Sequence, residues 1–493
     1  MKTAGTDTYN FTAPSSSSFS SFRDPAGRLL KINGRIIRVV NESGVADLEA
    51  FMGSKTSRRF VERGGLVGTE MLSPESVSAL LEGSHECESL GVTVGSKVAE
   101  HERISFQNYP YEWPPEMLHA AASLTLDLAQ SALDEGLGLK DATPYNVLFR
   151  GAEPVFVDLL SFERRKPGDP IWLPQAQFER TFLLPLLANK YFGMSPDTVL
   201  SARRDGLEPE EIYRMCGRVR RLLPPFLSMV SLPVWLASRH DEASPAIYKG
   251  RELNDAEKAR FILGSVFKRL RRLLKKLEPE DRRKSTWSDY MSANNNYSES
   301  HLNAKNEFVR RALAEFEPRK VLDVGCNTGH YSAMAAGQGA SVTSIDYDPV
   351  VVGETWRRAR AERLDVLPLV VNLTRPTPST GWRNAECPSF LDRARGSFDA
   401  VLMLAVLHHM LVSERVPLPE IIDLASELTT DLLILEFVSP EDSMFRRLTR
   451  GRDHLFAGLS PEVFEGACGR KFEIVRSQHL ENTSRWLYLL RKR

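Results

Sequence analysis

Apolar and polar residues alternate in two different ways along this chain, and the clearer pattern begins near residue 300. Seven β-rich runs follow one another, beginning with KVLDV at 320–324 and SVTSID at 341–346 and ending with RWLYLLRK at 485–492. Helical stretches separate the first five runs, and the last two runs form a terminal pair. This order predicts a doubly wound α/β sheet, in which a ligand binds at the carboxyl ends of the strands.

The first half of the chain has hairpins and helices instead. In GRLLKINGRIIRVVN, two β-rich runs flank Asn33-Gly34, a dipeptide that accepts the positive φ of a tight turn. A long amphipathic helix pattern follows at 114–136 and ends in glycine, and NVLF and VFVDLLSF predict a second hairpin. We therefore predict an α+β domain here.

These patterns divide the chain into four segments. At 493 residues the chain exceeds what one hydrophobic core usually supports. We expect a disordered Ser-rich tail over 1–22, the α+β domain over 23–245, a basic helical connector over 246–298 and the α/β domain over 299–493.

Composition narrows the compartment and the partners. The 64 Lys and Arg residues equal the 64 Asp and Glu residues, so no global field favours nucleic acid or an anionic membrane. The five cysteines lack metal-ligand spacing, and we expect no metal site. The chain shows neither a signal-peptide pattern nor an apolar run of membrane-spanning length. We expect a cytoplasmic protein.

The connector contains the steepest charge bias, KRLRRLLKK at 268–276. The helix pattern over 258–276 has an apolar side that includes Phe261, Val266 and Leu270. Such a helix can lie on anionic lipid or nucleic acid, but packing of the apolar stripe on its own domain is the commoner outcome. We favour packing and keep peripheral membrane contact as the alternative.

The turn DVGCNTG after the first C-terminal strand carries the strongest chemical signal. Asp323, Gly325 and Gly329 lie where the strand passes into its helix, and glycine there lets a ligand approach backbone N–H groups. The spacing is D-x-G-x-x-x-G rather than G-x-G-x-x-G, which indicates a wider turn and a ligand without phosphates.

Polar residues also end the next strands. Asp346 ends the second strand, where a carboxylate can accept both hydroxyls of a ribose. Asn372 ends the third strand, where its side-chain carbonyl can accept from an adenine amino group. Together with the glycine turn, they predict an adenosine-containing ligand.

Three further residues are candidates for a general base. The fourth strand runs into AVLHHM, which puts His408 and His409 at the rim beside the reacting end of the ligand, and Glu436 ends the fifth strand. Each is also readable as a satisfied structural residue, which we favour. A base matters only if the acceptor is an unactivated hydroxyl or a protonated amine.

Two loops flank the same edge of the sheet and predict an acceptor pocket. They are NLTRPTPSTGWRN at 372–384 and FVSPEDSMFRRLTRGRDHLF at 437–456, with Trp382, Arg383 and Arg452 as candidate contacts. Ordinary surface loops are the equal alternative.

The segment from about 300 to 493 resembles the class I S-adenosylmethionine-dependent methyltransferases, whose fold is a Rossmann-like doubly wound sheet. The resemblance implies that the glycine turn wraps the methionine part, that the acid after strand two binds ribose, and that the residue after strand three binds adenine. Asn372 is an amide where that family more often has Asp. The implied cofactor residues are Asp323, Gly325, Asn327, Gly329, Asp346 and Asn372.

LKDATPYNVLFRGAEPVFVDLLSFE at 139–163 predicts a different chemistry. Asp141, Asn146 and Asp158 form the trio that a phosphotransferase needs, since one carboxylate orients the attacking hydroxyl while an amide and a second carboxylate hold Mg²⁺. The segment resembles the catalytic loop and metal-binding segment of protein kinases and aminoglycoside phosphotransferases, which implies Mg-ATP. Leu139 stands where the usual His would be, and Arg38 lies about where the phosphate-binding lysine would be. We favour a kinase-like scaffold with lost or altered activity over a working kinase, and a plain hairpin is a further alternative.

NYPYEWPPEM at 108–117 is rich in aromatic residues and proline. Tyr109, Tyr111 and Trp113 can line the floor of a sugar or lipid-headgroup pocket, but aromatic residues beside prolines more often form a packed corner, which we favour.

Segments along almost the whole chain, including HERISFQNYPYEW, LKDATPYN, LDVGCNTG and LHHM, resemble a bacterial family of two-part methyltransferases that includes rhizobial nodulation proteins. The resemblance implies a role in making or modifying a nodulation-related metabolite. We expect S-adenosyl-L-methionine as cofactor and a small-molecule, sugar or lipid-linked acceptor. The alternatives are a phosphotransferase fused to a methyltransferase-like domain, and a regulatory protein that senses a nucleoside without turnover.

Overall fold

The computed structural model describes residues 24–82, 92–237, 255–280, 285 and 299–493. The predicted tail at 1–22 lies outside these residues, as do 246–254, 281–284 and 286–298 of the predicted connector at 246–298. The four proposed segment boundaries therefore stay a prediction.

A four-stranded antiparallel sheet opens the described chain. Its strands are β1 (Gly27–Ile32), β2 (Arg35–Val40), β3 (Thr69–Met71) and β4 (Lys97–His101), in the order β1-β2-β4-β3. The structure forms the predicted first hairpin, because Asn33 and Gly34 adopt φ of 50° and 80° between the paired strands.

Helices and two short antiparallel pairs complete the N-terminal half. The helices are α1 (Glu42–Met52), α2 (Lys55–Glu62), α3 (Pro74–Glu82) and α4 (Pro115–Asp134). The pairs are β5 (Leu137–Leu139) with β8 (Phe162–Arg164) and β6 (Val147–Arg150) with β7 (Glu153–Phe156). The last pair is the predicted second hairpin. The expected helical region follows, with α5 (Gln175–Phe178), α6 (Leu184–Phe192), α7 (Pro196–Ala202), α8 (Pro209–Met215) and α9 (Leu232–Ala237).

The basic helix α10 (Ala256–Lys276) packs against α4. Its stripe of Leu263, Phe267, Leu270, Leu273 and Leu274 is buried, and Arg271 forms an ion pair with Asp127 of α4 at 2.6 Å. Packing on its own domain is therefore what the structure shows. Phe261 was wrongly assigned to the apolar side, because its side chain is 76% exposed.

The C-terminal half contains the predicted doubly wound sheet. Its strands are β9 (Lys320–Val324), β10 (Ser341–Asp346), β11 (Val366–Val370), β12 (Phe398–Met403), β13 (Thr429–Val438), β14 (Phe472–His479) and β15 (Arg485–Lys492). The order is β11-β10-β9-β12-β13-β15-β14, and β15 runs antiparallel to both of its neighbours. The order reverses between β9 and β12, which opens a crevice at the carboxyl ends of the parallel strands.

Helices cover both faces of this sheet. They are α11 (Glu299–Phe316), α12 (His330–Gly337), α13 (Pro349–Glu362), α14 (Phe390–Ala394), α15 (Leu407–Val412), α16 (Leu418–Leu428), α17 (Ser443–Thr449) and α18 (Pro461–Cys468). Within the described part of the chain, no helix combines the length and the apolar character that crossing a bilayer requires.

The two halves pack together along α4 and α13. Trp356 Nε1 donates to the carbonyl oxygen of Ala152 at 2.9 Å, and Arg357 forms an ion pair with Glu116 at 2.6 Å. One cluster of buried apolar residues runs from Ala26 to Leu490 and so includes both halves.

Candidate functional site

A cavity of about 440 Å³ lies at the carboxyl ends of β9, β10, β11 and β12. Most of the cofactor residues expected from the sequence line it, together with one candidate base. They are Asp323, Gly325, Asn327, Asp346, Asn372 and His409. The sheet thus brings these side chains together at the predicted edge. Gly329 supports the turn without lining the cavity.

The two glycines of the turn are required by the fold itself. Gly325 and Gly329 have φ of 69° and 74°, in the left-handed region that favours glycine. A Cβ on Gly325 would lie 2.3 Å from Cγ2 of Val406, and one on Gly329 would lie 2.6 Å from Cγ2 of Thr355. Their presence therefore has a structural reason even without a ligand.

The expectation that this turn offers its backbone N–H groups to a ligand is wrong. The N–H groups of Gly325 and Cys326 both donate to the carbonyl oxygen of Ile345, at 2.8 and 3.0 Å. The N–H group of Asn327 donates to Asp346 Oδ2 at 3.1 Å, and that of Thr328 donates to Asn327 Oδ1 at 2.8 Å. The N–H group of Gly329 donates to the carbonyl oxygen of Cys326 at 2.9 Å. Anion binding at a turn needs available N–H groups, so this arrangement disfavours a phosphate ligand and agrees with the spacing argument.

Asp346 presents its carboxylate at the mouth of the turn. It accepts from the backbone N–H groups of Asn327 and Asp348, both at 3.1 Å. Burial raises the pKa of Asp346 to about 6, even though these hydrogen bonds act in the opposite direction. A hydroxyl pair that donates to this carboxylate would favour its charged form.

Asp323 lies deeper, beneath the turn. Its carboxylate accepts from Ser332 Oγ at 2.6 Å, and Ser344 Oγ donates to Ser332 Oγ at 2.7 Å. Burial raises the pKa of Asp323 to about 6 as well. A buried and a partly buried carboxylate thus border one cavity, which suits a ligand that carries positive charge.

Asn372 uses its side-chain carbonyl differently from the sequence expectation. Its Oδ1 accepts from the backbone N–H of Thr374 at 3.0 Å and from Thr374 Oγ1 at 2.6 Å. Both lone pairs of the oxygen are therefore engaged within the loop. The amide nitrogen is the group that can meet an acceptor atom of a ligand.

Other residues that line the cavity were missed by sequence reasoning. Tyr347 follows Asp346 directly, and Thr374 lies two positions after Asn372. Their closeness to the strand ends could have identified them as cavity residues. Lys305 comes from α11, and Leu448 comes from α17 in the second predicted loop. No local motif marks these two, because only the packed fold brings them to the cavity.

The two histidines occupy different environments. His409 lines the cavity, whereas His408 is buried in the core and was wrongly expected at the rim. The ring centroids are 4.3 Å apart. Burial lowers the pKa of His409 to about 4, and burial followed by the neighbouring His409 lowers the pKa of His408 well below its ordinary value. Both imidazoles are therefore neutral at pH 7.

Glu436 is part of a buried ion network and does not line the cavity. Its carboxylate accepts from Lys305 Nζ at 2.6 Å and from Arg485 Nη1 at 3.2 Å. Arg485 also bonds to both carboxylate oxygens of Asp442, at 2.9 and 3.2 Å. A carboxylate held by two cations is a poor proton acceptor, so the base role suggested for Glu436 finds no support in this geometry.

The loops predicted to line an acceptor pocket contribute other residues than those expected. Trp382 is 61% exposed, and Arg383 and Arg452 are exposed too. None of the three lines the cavity. The first loop reaches it through Asn372, Leu373 and Thr374 instead, and the second through Leu448.

The second candidate site brings its predicted trio together. Asn146 Nδ2 donates to the backbone carbonyl of Asp141 at 3.1 Å and to Ser161 Oγ at 3.0 Å. Asp158 accepts from Ser161 Oγ at 2.5 Å and pairs with Arg38 Nη1 at 2.8 Å. Asp158 therefore accepts a hydrogen bond at Oδ2 and forms the ion pair at Oδ1. In the part of the chain that the structure describes, no group of three His, Cys, Asp or Glu side chains could hold a metal ion.

The aromatic segment forms a packed corner. Tyr109, Tyr111 and Trp113 are buried, and Trp113 Nε1 donates to Asn108 Oδ1 at 2.9 Å. This agrees with the favoured alternative and leaves no aromatic floor for a sugar.

Known proteins are similar to the chain in sequence, and solved structures align with part of it. A methyltransferase domain family matches residues 265–453. Nodulation protein NoeA of Rhizobium meliloti (strain 1021) is 30% identical over 472 residues, which cover 95% of this chain and 94% of that protein. N-methyltransferase NodS from Bradyrhizobium japonicum WM9 aligns over 40% of this chain and 98% of its own, with 15% identity and a TM-score of 0.30. Magnesium protoporphyrin IX methyltransferase from Synechocystis PCC 6803, solved with S-adenosylhomocysteine, aligns over 48% and 97%, with 19% identity and a TM-score of 0.31.

Proposed function

This chain belongs to the family of nodulation protein NoeA and is an S-adenosylmethionine-dependent methyltransferase, and we propose that its cofactor lies in the cavity at the carboxyl ends of β9 to β12. One observation carries this proposal. Asp323, Asp346 and Asn372 lie at the carboxyl ends of three neighbouring strands, and all three residues border a single cavity of about 440 Å³.

The residues present fit the three parts of this cofactor. Asp346 accepts the two ribose hydroxyls, and the cationic amino end lies on the turn above Asp323. The adenine ring packs among Tyr347, Val371 and Leu373, which all line the cavity. The Asn372 amide N–H donates to a ring nitrogen of the adenine, while its carbonyl oxygen keeps accepting from Thr374.

The chemistry asks little of the protein beyond alignment. The cofactor, when bound, supplies a methyl group attached to a sulfonium. The sulfur keeps the electron pair of the broken S–CH3 bond and leaves as a neutral thioether. The cavity walls hold the acceptor atom in line with that methyl group, which makes the displacement effectively unimolecular. His409 is neutral at the cavity edge and can take the proton that the acceptor loses.

Calorimetry with S-adenosylhomocysteine tests the cofactor site. We expect binding by the intact chain and loss of binding in Asp346→Ala. Asp399→Ala is a matched control, because Asp399 also accepts from two backbone N–H groups, at 2.9 and 3.0 Å, but lies at the opposite end of the sheet. Equal binding by the two variants would contradict the proposed site.

The acceptor is proposed to be a small molecule, a sugar or a lipid-linked intermediate. The name of the relative supports a nodulation-related metabolite. Incubation of labelled cofactor with extract fractions from a host cell and from a deletion strain would identify it. Binding of S-adenosylhomocysteine without methyl transfer to any fraction would favour a nucleoside sensor instead. A cytoplasmic location also stays a proposal, which is supported by the free thiols of Cys216, Cys326, Cys387 and Cys468.

A kinase-like scaffold is the second proposal, for the N-terminal half. Hydrogen bonds favour it, because Asn146 donates to the Asp141 carbonyl and to Ser161 Oγ, and Ser161 Oγ donates to Asp158, which together gather the predicted trio. The ion pair between Arg38 and Asp158 puts a guanidinium where Mg²⁺ would be needed, so we propose a scaffold without phosphotransfer. Calorimetric binding of Mg-ATP that disappears in Asp158→Ala would contradict this and support a working nucleotide site.

A further inference from the structure

Lys305 is a buried cation at the wall of the candidate cofactor cavity. It lies on α11, before the first strand of the sheet, and it lines the cavity. Its Nζ donates to Glu436 Oε2 at 2.6 Å and lies 5.2 Å from the centroid of the Tyr331 ring. The side chain is only 5% exposed, so its charge faces the protein interior and the cavity.

Contacts of α11 place Lys305 beside the glycine turn. Its chain neighbour Asn306 has Oδ1 at 3.0 Å from Nε2 of His330, the residue that follows the turn. Glu436, the partner of Lys305, lies on β13, which is separated from β11 by four strand spacings. Four spacings amount to about 19 Å. Lys305 is therefore at the end of the cavity opposite Asn372.

The proposed cofactor carries a carboxylate at that same end. A buried carboxylate needs hydrogen-bond donors or a cation. The glycine turn does not supply donors there, because the five N–H groups from Gly325 to Gly329 all have partners inside the protein. The acidic residues of the cavity, Asp323 and Asp346, would repel it. A lysine ammonium answers this requirement, since it has three donors and a positive charge.

We propose that Lys305 binds the carboxylate of the methionine part of the cofactor, an inference that rests on the proposed function. Glu436 acts as a positioning residue, because its carboxylate holds the Lys305 ammonium at the cavity wall. Arg485 in turn holds Glu436 at 3.2 Å and pairs with Asp442. Within the described residues, the ammonium of Lys305 and the guanidinium of Arg485 thus meet the carboxylates of Glu436 and Asp442. When the ligand binds, its carboxylate interacts with the Lys305 ammonium. This interaction offsets the free-energy cost of burying the ligand carboxylate.

The test compares two ligands that differ only at the carboxylate. S-adenosylhomocysteine carries it, and 5′-S-(3-aminopropyl)-5′-thioadenosine lacks it but keeps the amino group. The intact chain should prefer the first by about tenfold or more, as expected for a charge-assisted hydrogen bond. Lys305→Met should bring the ratio of the two dissociation constants close to one, and Lys305→Arg should keep most of the preference.

Two further variants separate a binding role from a structural one. The double variant Lys305→Met/Glu436→Gln removes both buried charges, so that neither is left unpaired. Thermal unfolding checks that it folds. Its ratio of the two dissociation constants should also be close to one. Glu436→Gln alone should reduce the preference partly. Equal loss of affinity for both ligands in the Lys305 variants, or an unchanged preference, would overturn the inference. Failure of the intact chain to bind either ligand would instead overturn the proposed function, and this inference with it.

Discussion

Glu112 and Arg393 form an ion pair between the two halves of the chain, and both side chains are almost completely buried, with exposed fractions of 0% and 6%. Thr377 Oγ1 donates to the same carboxylate at 2.6 Å. The guanidinium of Arg393 also donates to the carbonyl oxygen of Gln107 and lies 4.9 Å from the Tyr109 ring centroid. The aromatic corner therefore anchors the segment between β11 and β12, which begins at the cavity.

Glu112→Gln should strongly destabilise the protein. The change leaves Arg393 buried without a compensating charge, and breaking one partner of such a pair typically costs about 3 to 5 kcal/mol. Urea unfolding measures the loss. Glu153→Gln is the control, because Glu153 pairs with Arg360 across the same two halves at 3.0 Å while both side chains are largely exposed. We expect less than about 1 kcal/mol from the control. Equal effects would mean that burial of the first pair contributes nothing.

Gly325→Ala should disrupt the cavity without any ligand present. The new methyl group would collide with Val406 Cγ2 at 2.3 Å, and the residue has a φ of 69°. We expect a loss of about 1 to 3 kcal/mol in unfolding free energy, together with loss of S-adenosylhomocysteine binding. Gly337→Ala is the control, since no atom lies within 4 Å of its Cβ position at the end of α12. A Gly325 variant as stable as the control would contradict the packing argument.

Local patterns predicted the elements well, because their causes are local. The turn at Asn33-Gly34 needs two residues that tolerate positive φ, and the strands of the C-terminal sheet need apolar runs bounded by turns. The strand ends then fixed where Asp346 and Asn372 lie. Sequence reasoning could therefore place the candidate site at one edge of one sheet.

Partners that come together only on folding could not be predicted in this way. The charge on Glu436 made it resemble a base, but Lys305 and Arg485 hold it from positions 131 and 49 residues away. The oxygen of Asn372 was expected to face a ligand, but Thr374 engages it. Such pairings depend on which side chains the folded chain brings within hydrogen-bond distance, and a single sequence does not contain that information.

Affinity for S-adenosylhomocysteine should depend on pH around 6. Burial raises the pKa of Asp346 to about 6 in the protein without ligand. Ribose hydroxyls donate to the charged form, so binding lowers this pKa and releases a proton. Affinity should then be constant above pH 7 and fall about tenfold per pH unit below 6. Calorimetry between pH 5 and 8 checks this.

The same raised pKa has a cost for the protein without ligand. A carboxyl whose pKa is higher in the folded state than in the unfolded state contributes stability below its unfolded pKa and loses it as pH rises through about 6. Asp346→Asn should therefore remove most of the pH dependence of the unfolding free energy between pH 4 and 7. It should also remove most of the pH dependence of any residual S-adenosylhomocysteine affinity over the same range. A binding slope that survives in this variant would assign the titration to another group, for which Asp323 is the candidate because burial raises its pKa to about 6 as well.

His409→Gln should slow methyl transfer without weakening cofactor binding. Burial lowers the pKa of His409 to about 4, so the ring is neutral at pH 7 and a weak base, which can take the proton of an acceptor hydroxyl as methyl transfer makes that proton acidic. Loss of a general base typically costs about 10²-fold or more in turnover. Transfer of labelled methyl to the active extract fraction measures the rate, and calorimetry with S-adenosylhomocysteine measures binding. His408→Gln is the comparison, because that ring is buried beside His409 and its loss should lower stability rather than turnover per folded molecule. Unchanged turnover in His409→Gln would show that the acceptor needs no base from this residue, and would leave alignment in the cavity as the protein's contribution to the rate.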